Sequence, residues 1–220
     1  MKSPSWFPVR FAAAVLFFAV TLLLAEPPNL SRLKQEIISY VESGAYDREL
    51  AEAAAPAVQF IAERVARRTP GERLTLVLDI DETVLSNLPS MRANDFGYVP
   101  AVWDAWVARA EAPVIPATLT VFQAARKLGV EIVFITGRRE RARAGTEKNL
   151  RAAGLGDYAE LFFKPNESSD TTEKFKTETR RRLIAEGRVI IANIGDQESD
   201  LAGGFAERTF KLPAPFYLTQ

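Results

Sequence analysis

Residues 74–87 read LTLVLDIDETVLSN. An apolar run containing Leu74, Leu76, Val77 and Leu78 ends in three carboxylates, Asp79, Asp81 and Glu82. Two carboxylates about 4 Å apart repel by roughly 4 kcal/mol at an effective dielectric of about 20. A fold gains from such crowding only where a cation or a reacting group shares the charge. Two more segments place polar groups after an apolar run: FITGR at 134–138 and NIGDQESD at 193–200. Each alone is ordinary. An Asp after a strand caps a helix or turns the chain, Thr-Gly starts a loop, and Asp196 with Asp200 fits an exposed helical face. All three in one chain point to a shared site.

The chemistry these residues suit is phosphoryl transfer. Asp79 can attack phosphorus as a carboxylate nucleophile and carry the group as an aspartyl-phosphate. Asp81, on the same side of an extended chain, can protonate the leaving alcohol and later activate water. Attack of one anion on another needs neutralisation, which Mg²⁺ held by hard oxygen ligands supplies. Asp79 and Asp196 are its candidate side-chain ligands, joined by the backbone carbonyl of Asp81. Thr136 offers a hydroxyl and the following amide of Gly137 to phosphate oxygens, and a lysine adds positive charge. Lys164, Lys174 and Lys176 are the candidates for that lysine.

Composition removes most rivals. The 220 residues contain no cysteine and no histidine. Cysteine nucleophiles, Ser-His-Asp triads, phosphohistidine chemistry and thiolate or imidazole metal sites are therefore excluded. Basic and acidic residues balance at 28 each, so no global field argues for a nucleic-acid polymer as partner. A nucleotide motor would need a Gly-Lys phosphate loop, and no Gly-Lys pair exists. An EF-hand loop fails because Val84 stands where glycine is required. Glycoside hydrolysis by paired carboxylates leaves Thr136 and Lys176 without a role. The remaining rival to a small-molecule phosphomonoesterase is a non-catalytic storage or ligand-binding protein on the same fold.

The elements that must position these residues follow from periodicity. Phe11 to Ala25 is an uncharged run of 15 residues, apolar but for Thr21 and short of the roughly 20 that span a bilayer. Residues 1–25 read as a signal peptide for periplasmic or secreted delivery, or as a retained anchor on the outer face of the inner membrane. Residues 26–70 read as a helical region, with helices at 31–43 and 47–68 and Ser31 as N-cap. From residue 71 to 220 the rhythm is strand, helix, strand, helix. Strands fit 73–78, 130–135, 161–163 and 189–194, and helices fit 117–128, 139–153 and 173–186. Continuous apolar strands alternating with amphipathic helices predict an α/β fold with a parallel sheet covered on both faces. Ligands of such sheets bind beyond the carboxyl ends of the strands.

Residues 86–116 interrupt that rhythm as an insertion carrying Phe96, Tyr98, Trp103 and Trp106. Phe96, Tyr98 and Trp103 are candidates for a wall on which a substrate's organic portion stacks. The alternative is that the aromatics anchor the insertion to the N-terminal helices, which suits the helical spacing of Trp103 and Trp106. GRRERARAG at 137–145 holds four arginines, read as a solvated face or as a patch attracting phosphate.

DIDET, FITGR and GDQESD, with a lysine before the last helix, resemble the haloacid dehalogenase (HAD) superfamily of phosphohydrolases. From about residue 30 onward the chain looks like its subfamily IIIB acid phosphatases, which include bacterial class C acid phosphatases and plant vegetative storage proteins. FKTETR at 175–180 stands where that group carries tyrosine-lysine-serine followed by arginine, which favours Lys176 and puts Phe175 in the tyrosine position. FKLPAPFYL at 210–218 resembles its closing proline-rich segment. The resemblance implies a HAD-like doubly wound (Rossmannoid) sheet, Mg²⁺ as cofactor, an acid optimum and small phosphomonoesters such as nucleoside monophosphates. It also implies that Asp200 supports the metal as a ligand or through a water. Many bacterial class C enzymes are lipoproteins, and this chain has no cysteine to modify.

Overall fold

The computed structural model describes residues 27–219, so the apolar N-terminal segment lies outside the described residues. Five strands form one parallel sheet in the order β3-β2-β1-β4-β5. They are β1 (Arg73–Leu78), β2 (Glu131–Arg139), β3 (Glu160–Lys164), β4 (Arg188–Gly195) and β5 (Arg208–Lys211). Because the strands are parallel, all their carboxyl ends share one rim. The chain steps from β1 outward to β2 and β3, then crosses back to β4 on the other side of β1. The connections leaving β1 and β4 therefore part in opposite directions, which opens a crevice above those two strands.

The alternation of each strand decides which helices cover it. Leu74, Leu76, Leu78, Ile132 and Phe134 face one way and pack with α2 (Ala45–Ala66) and α5 (Pro116–Lys127). From α2 come Tyr46, Leu50, Ala54, Ala57 and Ile61, and from α5 Val121, Phe122 and Ala125. Val77, Val133, Ile135 and Ile190 face the other way, against Leu183 and Phe175 of α7 (Thr172–Ala185). Burial on both faces is why these strands read as continuous apolar runs.

Most predicted elements lie within a few residues of their observed bounds. Three differ for physical reasons. The helix predicted from 139 starts later, as α6 (Arg143–Ala152), because β2 runs on to Arg139 and Glu140–Ala142 form a 3-10 turn. Strand β5 was not anticipated: Phe210 is its one buried residue, so no apolar run marks it. Ser31 is not the cap of α1 (Leu30–Glu42). Asn29 is, its side chain accepting from the Arg32 N–H at 3.2 Å.

The insertion contains two helices, α3 (Leu88–Ala93) and α4 (Pro100–Arg109). Helix α1 meets it through exposed ion pairs, Lys34–Asp95 at 2.6 Å and Arg92–Glu42 at 2.7 Å. Helix α4 seats against α6 at Gly145, where a Cβ would stand 2.3 Å from the Val107 carbonyl oxygen. The last helix, α8 (Glu198–Leu201), is a single turn after β4.

That close approach sets a test. Glycine to alanine inside a helix ordinarily gains about 1 kcal/mol. At Gly145 the obstacle is backbone, and overpacking of that kind costs about 1–3 kcal/mol, so the clash outweighs the propensity gain. Gly145→Ala is expected to lower the unfolding free energy by about 1 kcal/mol in urea titrations. A gain in stability would show that α4 and α6 part without cost.

Candidate active site

The polar ends of β1, β2 and β4 converge on one cavity of about 440 Å³, lined by Asp79, Asp81, Gly137, Lys176, Asp196 and Asp200 among others. Asp79 follows β1 directly and is fixed by its N–H donating to the Ile194 carbonyl at 3.0 Å. The chain then turns tightly, with Val84 and Leu85 N–H groups donating to the Ile80 carbonyl and Glu82 at φ 51. This turn brings Thr83 back beneath the strand ends. Its hydroxyl lies 3.3 Å from Asp79 Oδ2 and 3.4 Å from Asp196 Oδ1, tying the first and last acidic segments together.

Helix α7 supplies the cation. Lys176 Nζ donates to Asp79 Oδ1 and, at 2.6 Å, to Asp200 Oδ1, and only 2% of the lysine side chain is exposed. Of the other two candidate lysines, Lys174 is exposed and paired with Asp170 at 2.7 Å. Lys164 is buried at the end of β3, where burial and nearby Arg139 depress its pKa. One turn after Lys176, the fully buried Arg180 donates to the Asp200 carbonyl at 2.6 Å and to that of Gly204 at 3.0 Å, holding α8 in place.

Thr136 is fully buried at the end of β2, with its hydroxyl accepting from the Arg138 N–H at 3.1 Å. Its neighbour Gly137, not Thr136 itself, lines the cavity.

Burial dominates the electrostatics. It pushes the Asp79 carboxyl well up; Lys176 opposes this, and Asp200, Asp81 and Asp196 add to it. Asp196 is pushed up to about 8 by burial and then by Asp200. Glu82 rises to about 7 through burial and Asp81, against the hydrogen bonds from Asn87 and Tyr217. Burial disfavours the Lys176 ammonium, yet Asp79 and Asp200 outweigh it and keep the charge. Raised carboxyl pKa values mean that the cluster binds protons when no other cation is present.

The donor set fits a hard divalent cation. Asp79, Asp196 and Asp200 each offer a carboxylate oxygen, all within 4.8 Å of one another. All three have protein partners on both oxygens, but the partners differ in kind, and Asp79 and Asp196 share the single Thr83 hydroxyl. Asp200 has both engaged, Oδ1 by Lys176 and Oδ2 by the Gln197 N–H at 2.9 Å. Asp196 Oδ2 accepts from Gln197 Nε2 at 2.6 Å, leaving Oδ1 to the Thr83 hydroxyl.

Several residues at the site carried no sequence signal of their own. Arg138, within the stretch read as a solvated face or a phosphate-attracting patch, is buried and reaches Asp81 with two nitrogens, Nη2 at 2.7 Å and Nε at 3.0 Å. The neighbouring arginines differ: Arg139 holds the Pro165 carbonyl at 2.7 Å, and Arg141 pairs with Asp104 at 3.5 Å. Asn87, Gln197 and Tyr217 also belong to the site. Tyr217, from the closing segment, donates to Glu82 Oε2 at 3.1 Å. Phe96, Tyr98 and Trp103 all line the cavity, and Phe216 stacks on Phe96 with centroids 6.4 Å apart. Trp106 is buried beneath them.

Comparison with known proteins bears on the family and the fold. The family described as HAD superfamily, subfamily IIIB (Acid phosphatase) matches residues 25–220. Stem 28 kDa glycoprotein of Glycine max is 39% identical over 153 residues, which cover 66% of this chain and 60% of that protein. Acid phosphatase 1 of Solanum lycopersicum is 38% identical over 146 residues, covering 64% of this chain and 57% of that one. The chain thus spans about three fifths of the length of these curated relatives. The class C acid phosphatase from Bacillus anthracis shares the fold, with a TM-score of 0.70 at 23% identity over 84% of this chain and 86% of that one. With the family matched along the whole described chain, this protein belongs to subfamily IIIB of the HAD superfamily.

Proposed function

We propose that the protein is an exported, Mg²⁺-dependent acid phosphatase that hydrolyses small phosphomonoesters through an aspartyl-phosphate on Asp79. The observation that carries this reading is the buried Asp79 carboxylate. It touches Lys176 on one side and Thr83 on the other, and it faces a cavity that also receives Asp81. A storage protein would gain nothing from a lysine buried between two carboxylates in the lining of a cavity.

Asp79 is the nucleophile and Asp81 the proton donor and acceptor. Lys176, with the amide of Gly137, balances charge on the transferring group, while Thr136 shapes the strand end that presents that amide. Asp79, Asp196 and the Asp81 carbonyl would hold Mg²⁺, which supplies charge neutralisation for attack on a phosphate dianion. Asp200, held by the Lys176 ammonium and the Gln197 backbone N–H, orients Lys176 and supports the metal indirectly. Phe96, Tyr98 and Trp103 would take the organic portion of the ester, a nucleoside in the reading that best suits an aromatic wall. The apolar segment at 11–25 supports export. No described helix is long and apolar enough to cross a membrane.

Two outcomes test this. Purified protein with Mg²⁺ is expected to release phosphate from p-nitrophenyl phosphate, and Asp79→Asn to lower kcat by roughly 10³-fold or more with the fold retained. Turnover unchanged in that variant rules the nucleophile out.

The second outcome concerns pH. Burial and Asp200 push Asp196 up to about 8 in the folded protein against its ordinary 3.8, so the folded state holds more protons across that window. Stability without metal must therefore fall as pH rises from about 5 to about 8, and Glu82 contributes in the same direction up to about 7. Glu72, held down to about 2 by Arg64, acts only below its ordinary 4.5 and leaves this window untouched. Mg²⁺ competes with those protons and should raise Tm more at pH 8 than at pH 5. Calorimetric melts with EDTA and with Mg²⁺ at both pH values check the sign, and an equal Mg²⁺ effect at both contradicts it.

A further inference from the structure

Asp81 is held asymmetrically. Its Oδ1 accepts from Arg138 Nη2 at 2.7 Å, from Arg138 Nε at 3.0 Å and from Asn87 Nδ2 at 2.8 Å. Its Oδ2 receives only the shared Nε, at 3.1 Å. Both anchors are themselves braced. Arg138 Nη1 donates to Thr146 Oγ1 of α6 at 2.9 Å, and its guanidinium lies 5.4 Å from the centre of the Trp103 ring. Asn87 Oδ1 accepts from Trp106 Nε1 at 2.8 Å. Asp81 keeps 18% of its side chain exposed while Arg138 keeps 2%, so the carboxylate looks into the cavity from a dry mount.

Resting on the hydrolase reading above, we infer that Arg138 and Asn87 are positioning residues. They pin Oδ1 of Asp81 so that Oδ2 handles the proton, and the two tryptophans of α4 lock both anchors. In the first transfer an Asp79 oxygen bonds to phosphorus, the bond from phosphorus to the alcohol oxygen breaks, and the proton on Oδ2 passes to that oxygen. In the second, water bonds to phosphorus and gives a proton to Oδ2, the bond from phosphorus to Asp79 breaks, and inorganic phosphate leaves. An arginine serving only to bind phosphate would reach past Asp81. This one spends both inner nitrogens on the carboxylate.

The experiment compares kcat/KM, which ends at release of the alcohol and so isolates the first transfer. The esters are p-nitrophenyl phosphate, whose phenolate leaves unaided, and glycerol 2-phosphate, whose alkoxide needs the proton. For Arg138→Met the loss on glycerol 2-phosphate is expected to be about 10²-fold, toward the lower end of what general acid catalysis contributes, with only a few-fold loss on p-nitrophenyl phosphate. Trp106→Phe removes one brace without emptying the core. It should show the same selectivity at about 10-fold, which keeps the inference testable if Arg138→Met does not fold. Equal losses on both esters in the folded variants overturn the inference alone. Wild-type protein inert toward both overturns the hydrolase reading, and this inference with it.

Discussion

A charged lysine sealed between two carboxylates is the constraint around which this rim is built. Withdrawing an ammonium from water costs on the order of several kcal/mol, and its partners repay that only when their geometry is fixed. Lys176 meets Asp79 just after β1 and Asp200 on α8, so β1 and α8 cannot shift independently. Arg180, one turn further along α7, grips the carbonyls around α8 and prevents the short helix from moving away. The same helix thus carries both the cation and the clamp that keeps the cation paired.

Three carboxylates against one ammonium still leave excess negative charge, and the fold manages it by sharing donors. Thr83 spans Asp79 and Asp196. Gln197 fixes Asp196 with its Nε2 while its Oε1 accepts from the Thr219 N–H at 3.0 Å. Tyr217 in the same closing segment reaches Glu82. The end of the chain is therefore fastened to both acidic segments, which explains why Phe216 and Tyr217 sit at the cavity although they lie far from Asp79 in sequence. What the protein's own donors leave unbalanced is the charge a divalent cation would take up.

Sequence made part of this legible and hid the rest for specific reasons. Asp79 and Asp196 were readable because each ends a strand buried on both faces, and a parallel sheet sends all such ends to one rim. Lys176 could not be separated from Lys164 and Lys174 by periodicity; resemblance to the family favoured it, and the packing of α7 against α8 places it. Arg138 was concealed by its company. In a run of four arginines the composition reads as a solvated face or a phosphate-attracting patch, and only the continuation of β2 to Arg139, with its alternation of sides, turns the Arg138 guanidinium inward. Strand β5 was concealed by the opposite cause, since an edge strand with one buried residue leaves no pattern.

The insertion shows how one short helix can serve two demands. Trp103 and Trp106 are three residues apart, neighbours on one face of α4, and they reach the two groups that hold Asp81. Tyr98, Val99 and Val102 lie along the cavity on more exposed positions. Of these only Val102 belongs to α4, and Tyr98, just before the helix, packs on Trp103 with ring centroids 6.4 Å apart. The two demands meet at Trp103, which lines the cavity and also lies against Arg138, so a change there alters the wall and the mount of Asp81 together.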